Sequence, residues 1–290
     1  MKKKTKKYLT IDIGGTFIKY SLMDEQFEVF DEGSVATKKD PEEFLAQLLA
    51  VADGYNGRID GIAICMGGFI DPQTGENTDY SVGENFRAYN LKKVMEERFH
   101  LPVALENDSN CAALGELAAG AGKEYNNFCL LTIGTGVGGA IVWDKKLIRG
   151  SHFKAGEAGF CQVGPDKEAP NGYTHATATA DLTARVGKAV GEKVDGYYIF
   201  GHLEEEKILE IYEEWLERLA VTVGNAAVLL DPEAVLIGGG VCRQERFIED
   251  LRSRVYRIFP HLEEYTQIKA CVTGNLAGRI GALSLLLAGG

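Results

Sequence analysis

Gly134-Thr135-Gly136-Val137-Gly138-Gly139, followed directly by Ala140-Ile141-Val142-Trp143, is the stretch on which the fold of this chain turns. The glycines match G-x-G-x-x-G, a pattern that in a dinucleotide-binding domain has to open a helix, because the pyrophosphate rests on the helix N-terminus. An apolar run of β character follows instead, so these glycines join two strands, at 128–133 and 140–143. The reading is a hairpin whose bare glycine tip lets backbone amides approach a phosphate.

The same design stands at the other end of the chain. An apolar, β-favouring run from Tyr8 to Ile13 meets Gly14-Gly15-Thr16 and returns as Phe17 to Met23, again a hairpin with a glycine tip. A third strand is expected within 27–36, and Pro41 opens an amphipathic helix over 42–52. Strand 61–66 ends in Gly67-Gly68; helix 91–99, strand 102–105 and a small-residue helix 109–119, capped near Asp108 or Ser109, complete the order βββαβαβα. From Phe128 the order begins again, with strands at 128–133, 140–143 and 147–149. The second half then carries a Gly-, Thr- and Ala-rich insertion, roughly 150–185, expected to form loops. Helix 204–230, strand 234–237, Gly238-Gly239-Gly240, a helix within 244–259, strand 268–272 and helix 275–287 follow. Two α/β lobes are expected, 1–115 and 116–275, with the last helix, 276–290, returning to the first.

Bulk properties narrow the function classes. At 290 residues, 45% hydrophobic and 25% charged, the chain is a globular protein with room for two cores. A net charge of −11 repels phosphate backbones and anionic membranes, which argues against nucleic-acid and membrane partners and for a small substrate. Five lysines within Met1 to Lys7 read as a solvated tail, since no apolar core of a signal peptide follows. No run reaches the roughly 20 apolar residues of a membrane span. Six scattered cysteines without a C-x-x-C pair read as buried free thiols in a reducing, cytoplasmic setting.

The candidate chemistry lies at the strand ends. In Asp12-Ile13-Gly14-Gly15-Thr16 the glycine amides and the Thr16 hydroxyl suit a nucleotide's phosphate tail, and the Asp12 carboxylate suits a hydrated Mg²⁺; a plain hairpin is the alternative. Gly238-Gly239-Gly240 leaves bare backbone that can pack on a flat ring, or is a tight turn. Glu106-Asn107-Asp108-Ser109-Asn110 sets amides and carboxylates at a strand-to-helix junction, where one carboxylate can take the proton of an attacking hydroxyl; capping alone is the competing account. Glu157, between glycines in Ala155-Gly156-Glu157-Ala158-Gly159, suits ring hydroxyls, or is an exposed loop residue. Asn85 is the weakest candidate, Asn being common in loops.

Taken together these segments resemble the ROK family of bacterial sugar kinases and related repressors, within the group that shares the two-lobed actin/hexokinase-like (ribonuclease H-like) α/β fold with its internal repeat. DIGGTFIK at 12–19 resembles the first phosphate turn, ENDSNCAALGE at 106–116 the sugar and base segment, and 133–139 the second phosphate turn. AGEAG at 155–159 and LIGGGV at 236–241 follow in the expected order. The resemblance implies ATP and Mg²⁺ as cofactors, a hexose or hexose derivative as substrate, and lobes that close over the sugar. Asp108 is then the base and Asn107 and Glu157 sugar ligands, with Gly67, Gly68 and Asn85 beside them. Gly14, Gly15, Thr16, Lys19, Thr135 and Gly136 hold the phosphates, Asp12 holds Mg²⁺ through water, and Gly239 lies near the adenine. A homodimer is expected.

Three departures stand out. Many members continue the Gly-Glu-x-Gly motif with a histidine and a cysteine cluster for structural zinc; here Phe160 and the single nearby Cys161 predict no zinc site. The usual proline of the strand-end motif is missing from Cys65-Met66-Gly67-Gly68. A later sugar-contacting glutamate has His175 near its place.

Two rival functions follow from the same residues. A non-catalytic sugar-binding regulator would bind sugar without turning over ATP; family repressors carry an N-terminal DNA-binding domain, whereas seven residues precede the first strand here. A dinucleotide-dependent oxidoreductase would need the helix that Ala140 to Trp143 denies it.

Overall fold

The computed structural model describes residues 5–161 and 175–289. Two compact units divide them: residues up to Gly120 together with Gly150–Lys154 and the segment from Asn275 on, and Ala121–Arg149 together with Ala155–Gly274.

In the first unit, β1 (Lys7–Ile13), β2 (Phe17–Asp24) and β3 (Val29–Ala36) form an antiparallel meander, and β4 (Ile62–Met66) and β5 (Val103–Asn107) add parallel strands on the other side of β1, in the order β3-β2-β1-β4-β5. Helices cover both faces, which is why β4 reads as the unbroken apolar run IAICM and is buried throughout. Along β1 the pleat sends Leu9, Ile11 and Ile13 to one core, with α1 (Pro41–Asp53) and α2 (Leu91–Phe99). Fully burying side chains of this kind stabilises by about 1.5–3 kcal/mol each. Tyr8 faces the opposite core, with α8 (Ala277–Leu287).

That second face is set by glycines. Where α8 crosses α3 (Asp108–Ala119), a β-carbon on Gly115 would meet the Ala277 carbonyl oxygen at 2.1 Å, and one on Gly281 the Cys111 carbonyl at 1.7 Å. Two helix backbones therefore touch directly, fixing α3 and the Asp108 at its start. Arg279 of α8 is buried here and bonds the Ser21 hydroxyl and, at 3.3 Å, the Tyr20 carbonyl.

The second unit repeats the first strand for strand. β6 (Phe128–Ile133), β7 (Val137–Trp143), β8 (Lys146–Ile148), β9 (Ala234–Gly238) and β10 (Gln267–Ala270) are ordered β8-β7-β6-β9-β10, with β6 antiparallel to β7 and parallel to β9. The expected hairpin after Ile133 is present, and β7 begins at Val137, three residues before the apolar run that signals it. The core is built on α6 (Glu206–Leu230), whose Tyr212, Trp215 and Leu219 are buried with Phe247 and Leu251 of α7 (Glu245–Ile258).

The loops expected over 150–185 are not the whole account: α4 (Thr179–Val190) starts inside that window, followed by α5 (Gly196–Gly201). Its apolar pair Leu182 and Val186 sits one turn apart and is buried, a helical signal diluted by the threonines and alanines around it. Residues 162–174 and the side chain of His175 lie outside the described residues. Cysteines 65, 111 and 129 are buried as expected, but Cys242 and Cys271 are half-buried and Cys161 is exposed, because these three lie in or just after a short turn or a strand end and not within a core strand or helix. Among the described residues no helix is long and apolar enough to cross a membrane, and no cluster of three or more His, Cys, Asp or Glu is set to hold a metal ion.

Candidate active site

In the first unit the β1–β2 register ends on Ile13 opposite Ile18, leaving 14–17 as the turn. Gly14 N donates to Phe17 O at 3.0 Å, and Gly15 and Thr16 are exposed at the tip. The residues after β3 lash this turn down. Thr37 donates through its hydroxyl to Gly14 O at 2.6 Å and through its amide to Thr16 O at 2.9 Å, and Lys39 Nζ donates to Gly15 O at 2.5 Å.

Asp12 stands behind the turn in a row that the strand register sets across the sheet: Lys19, Asp12, Cys65 and Glu106 are neighbours on β2, β1, β4 and β5. Burial pushes the Asp12 carboxyl up, while Lys19, the Cys65 thiol and Arg279 hold it down. One half-buried carboxylate beside a phosphate-type turn is a donor set that fits Mg²⁺, which keeps most of its waters and takes few protein oxygens.

Asp108 opens α3, where the partial positive charge of the helix N-terminus favours an anion. The cap is Asn107, one residue before the expected position: its Oδ1 accepts from Asn110 N at 3.0 Å while its Nδ2 donates to Gly68 O at 2.9 Å. One Asp108 oxygen accepts from Ser109 N at 2.7 Å; the other, Oδ2, faces Gly67. The side chain is open to solvent at its own surface, yet protein packed closely around it raises its pKa above the ordinary carboxylate value. Hydrogen bonds from Ser109 pull it down and the Asp12 charge raises it further. Glu106, fully buried, accepts from Asn107 N at 2.9 Å and Asn110 Nδ2 at 3.0 Å, so it shapes the junction from beneath.

The glycines before this junction have different tasks. Gly68 has φ +119°, and a β-carbon there would strike Asn77 at 2.4 Å, whereas position 67 offers open space in front of Asp108. Asn77 Nδ2 in turn donates to Gly67 O and Phe86 O, each at 3.2 Å, and so shapes the loop around them. Asn85 is buried and donates to Lys38 O at 2.9 Å, which ties the same loop to the strap over the first phosphate turn.

In the second unit the turn is shorter. Ile133 pairs with Val137, and Gly134 N donates to Gly136 O at 2.9 Å, with Thr135 and Gly136 exposed. Thr179, the first residue of α4, donates to Gly134 O through its amide at 2.9 Å and its hydroxyl at 2.8 Å. Trp215 Nε1 donates to Ala178 O at 3.0 Å, anchoring that strap in the core. Gly239, at φ +105°, lies so close to β6 that a β-carbon would meet Ile133 O at 2.1 Å, which sets the Gly238–Gly240 turn against the second glycine turn. Gly156 and Gly159 press backbone to backbone on β7, at Ala140 and Val137, and hold Glu157 half-buried between them.

A cavity of about 580 Å³ opens beside this turn, walled by Gly134, Thr135, Thr179, Asp195, Tyr197, Gly240 and Arg243 among others. The first unit thus gathers Asp12, Gly14–Thr16, Lys19, Gly67, Gly68, Asn107 and Asp108, and the second gathers Thr135, Gly136 and Gly239. Sequence reading passed over Glu106, Thr37, Lys39, Thr179 and Arg279. Glu106 stood within the quoted motif; the others act from distant segments and carry no local signal.

The ROK family profile matches residues 8–288. The chain belongs to the ROK family. A beta-glucoside kinase of Listeria monocytogenes is 31% identical to it, over 96% of this chain and 96% of that protein. Among solved structures, a ROK family protein from Streptococcus pneumoniae in complex with sucrose superposes with a TM-score of 0.87 at 29% identity, covering 98% of each chain. A ROK family glucokinase from Streptomyces griseus, in complex with glucose and AMPPNP, gives 0.78 at 27%, covering 96% of this chain and 98% of that one. The fold of this ROK protein is accordingly the actin/hexokinase-like α/β fold of the family's sugar kinases, and its two sheets of matching strand order are the internal repeat.

Proposed function

We propose that this ROK protein transfers the γ-phosphate of ATP to a hydroxyl of a hexose or hexose derivative, with Asp108 as the base. It is a carbohydrate kinase; its relatives include a beta-glucoside kinase and a glucokinase. The observation that carries the assignment of the base is the Asp108 carboxylate itself. It is solvent-open, seated at a helix N-terminus, with Oδ2 beside the side-chain-free position of Gly67, in the same unit as the glycine turn of Asp12 to Thr16.

In this reading Asp108 accepts the proton of the sugar hydroxyl as its oxygen attacks phosphorus, the bond from the γ-phosphorus to the bridging oxygen breaks, and ADP leaves. Gly14, Gly15 and Thr16 in the first unit form one turn with amides and a hydroxyl of the kind that bind phosphate, and Thr135 and Gly136 in the second form another. Gly239 precedes Gly240, which lines the cavity that would take the nucleoside. Mg²⁺, held through water by Asp12, supplies charge neutralisation when bound. Asn107 orients the junction, Glu157 and the loop around Gly67 and Gly68 recognise ring hydroxyls, and Asn85 supports that loop.

Sugar-dependent ADP release across glucose, mannose, N-acetylmannosamine, sucrose and β-glucosides such as cellobiose tests this. Turnover with at least one of them supports the reading; ADP release that no sugar stimulates rejects it.

A further inference from the structure

The cavity beside the second glycine turn has two planar side chains on its wall that the fold itself does not use. Tyr197, on α5, is 66% exposed. Its neighbours on the same short helix are both engaged: the Tyr198 ring stacks on His202 at 4.2 Å, and the Phe200 ring meets Tyr212 edge-on at 5.4 Å. Tyr197 has no ring, cation or hydrogen-bond partner among the described residues. Arg243, in the turn that follows Gly240, is likewise exposed. Arg185, Arg218, Arg246, Arg254 and Arg257 of the same unit are each paired with a carboxylate, and Arg252 donates to Ile268 O. Arg243 has no such partner among the described residues, although the chain carries 42 acidic residues to 31 basic ones.

An aromatic ring and a guanidinium plane are the two side-chain surfaces that stack on a nucleobase, and neither needs to read its edge. The cavity volume lies in the range of small-ligand sites, and Gly134 and Thr135 of the glycine turn are among the residues that line it. We propose that Tyr197 and Arg243 hold the base of the nucleotide by stacking, so that this pocket prefers a purine, with its larger ring face, over a pyrimidine. The inference rests on the reading of this cavity as the nucleoside end of the ATP site. It adds to that reading which two residues set base preference, and that they do so by planarity instead of a hydrogen bond.

Calorimetric titration of the full-length protein with ADP, UDP and inorganic tripolyphosphate, without sugar, tests it for wild type, Tyr197→Ala, Tyr197→Phe, Arg243→Ala and Arg243→Lys. Stacking predicts that Tyr197→Ala and Arg243→Ala each weaken ADP on the order of tenfold and narrow the preference for ADP over UDP. Tyr197→Phe should bind like wild type, because the ring and not the hydroxyl acts. Arg243→Lys should keep the charge and still lose affinity. Tripolyphosphate should bind all five proteins alike, which also shows that the variants are folded. Unchanged ADP affinity in both alanine variants overturns the role of these residues while leaving the ATP reading intact. A wild type that binds tripolyphosphate but prefers neither ADP nor UDP overturns the base pocket, and a wild type that binds none of the three overturns both.

Discussion

Gly67 faces the carboxylate of Asp108: a methyl group at position 67 would sit 4.0 Å from Oδ2 of Asp108, with no other atom outside its chain neighbours within that distance. The absence of a side chain there leaves open the space beside this oxygen.

Gly67→Ala therefore places a methyl in ordinary contact with protein but, on the proposed function, in the space of the sugar. The expected outcome is a fall in kcat/KM for sugar of roughly tenfold or more, the worth of one misplaced methylene, with an unchanged melting temperature. Gly68→Ala behaves in the opposite way, since its φ of +119° and the Asn77 contact at 2.4 Å make it a folding lesion. Steady-state kinetics and thermal melts on the pair check both statements.

Asn107 separates two jobs by atom. Asn107→Ala loses the cap of α3, about 1 kcal/mol, and also the tie to Gly68 O, so stability and activity both drop. Asn107→Ser keeps a capping oxygen but cannot reach Gly68. It is expected to recover most of the stability and little of the sugar kcat/KM, which denaturant titration and kinetics can separate.

The raised pKa of Asp108 has two consequences of opposite sign. If Asp108 is the proposed base, it works only when ionised, and the acid limb of kcat/KM is expected above the pH at which an ordinary carboxylate titrates. For the fold, the native state binds this proton more tightly than the unfolded chain does. Stability is therefore lost as pH rises from the unfolded carboxylate value through the native one. Asp108→Asn removes that cost and is expected to raise the melting temperature of the nucleotide- and metal-free protein at pH 7. The gain disappears below about pH 4, where the carboxyl is neutral in both states. Melting curves at the two pH values read the difference.

How much of this was legible in the sequence follows from where each signal sits. Both hairpins, the parallel strands and the long α6 were readable because the information is local: glycine tips between apolar runs, and a 3.6-residue apolar period. So was the position of Asp108 at a strand-to-helix junction, marked by a short run of amides and carboxylates at a strand end. The straps were not. Thr37 and Lys39 hold Gly14 and Gly15 from more than twenty residues away, and Thr179 holds Gly134 across 45 residues; nothing in either segment announces the partner. The insertion read as loops hid α4, because four of its first seven residues are Thr or Ala and only Leu182 and Val186 mark its buried face. Asn107 was read as a sugar ligand, and its cap and its tie to Gly68 became visible only with the backbone in place.

The direct test of Asp108 as the base compares Asp108→Asn with wild type in two measurements on the same preparations: sugar and ADP binding by calorimetry, and sugar-dependent ADP release. If Asp108 takes the proton, both ligands bind with little change while kcat falls on the order of 10²- to 10⁴-fold. Retention of wild-type kcat by a variant that binds sugar and nucleotide normally would contradict that role.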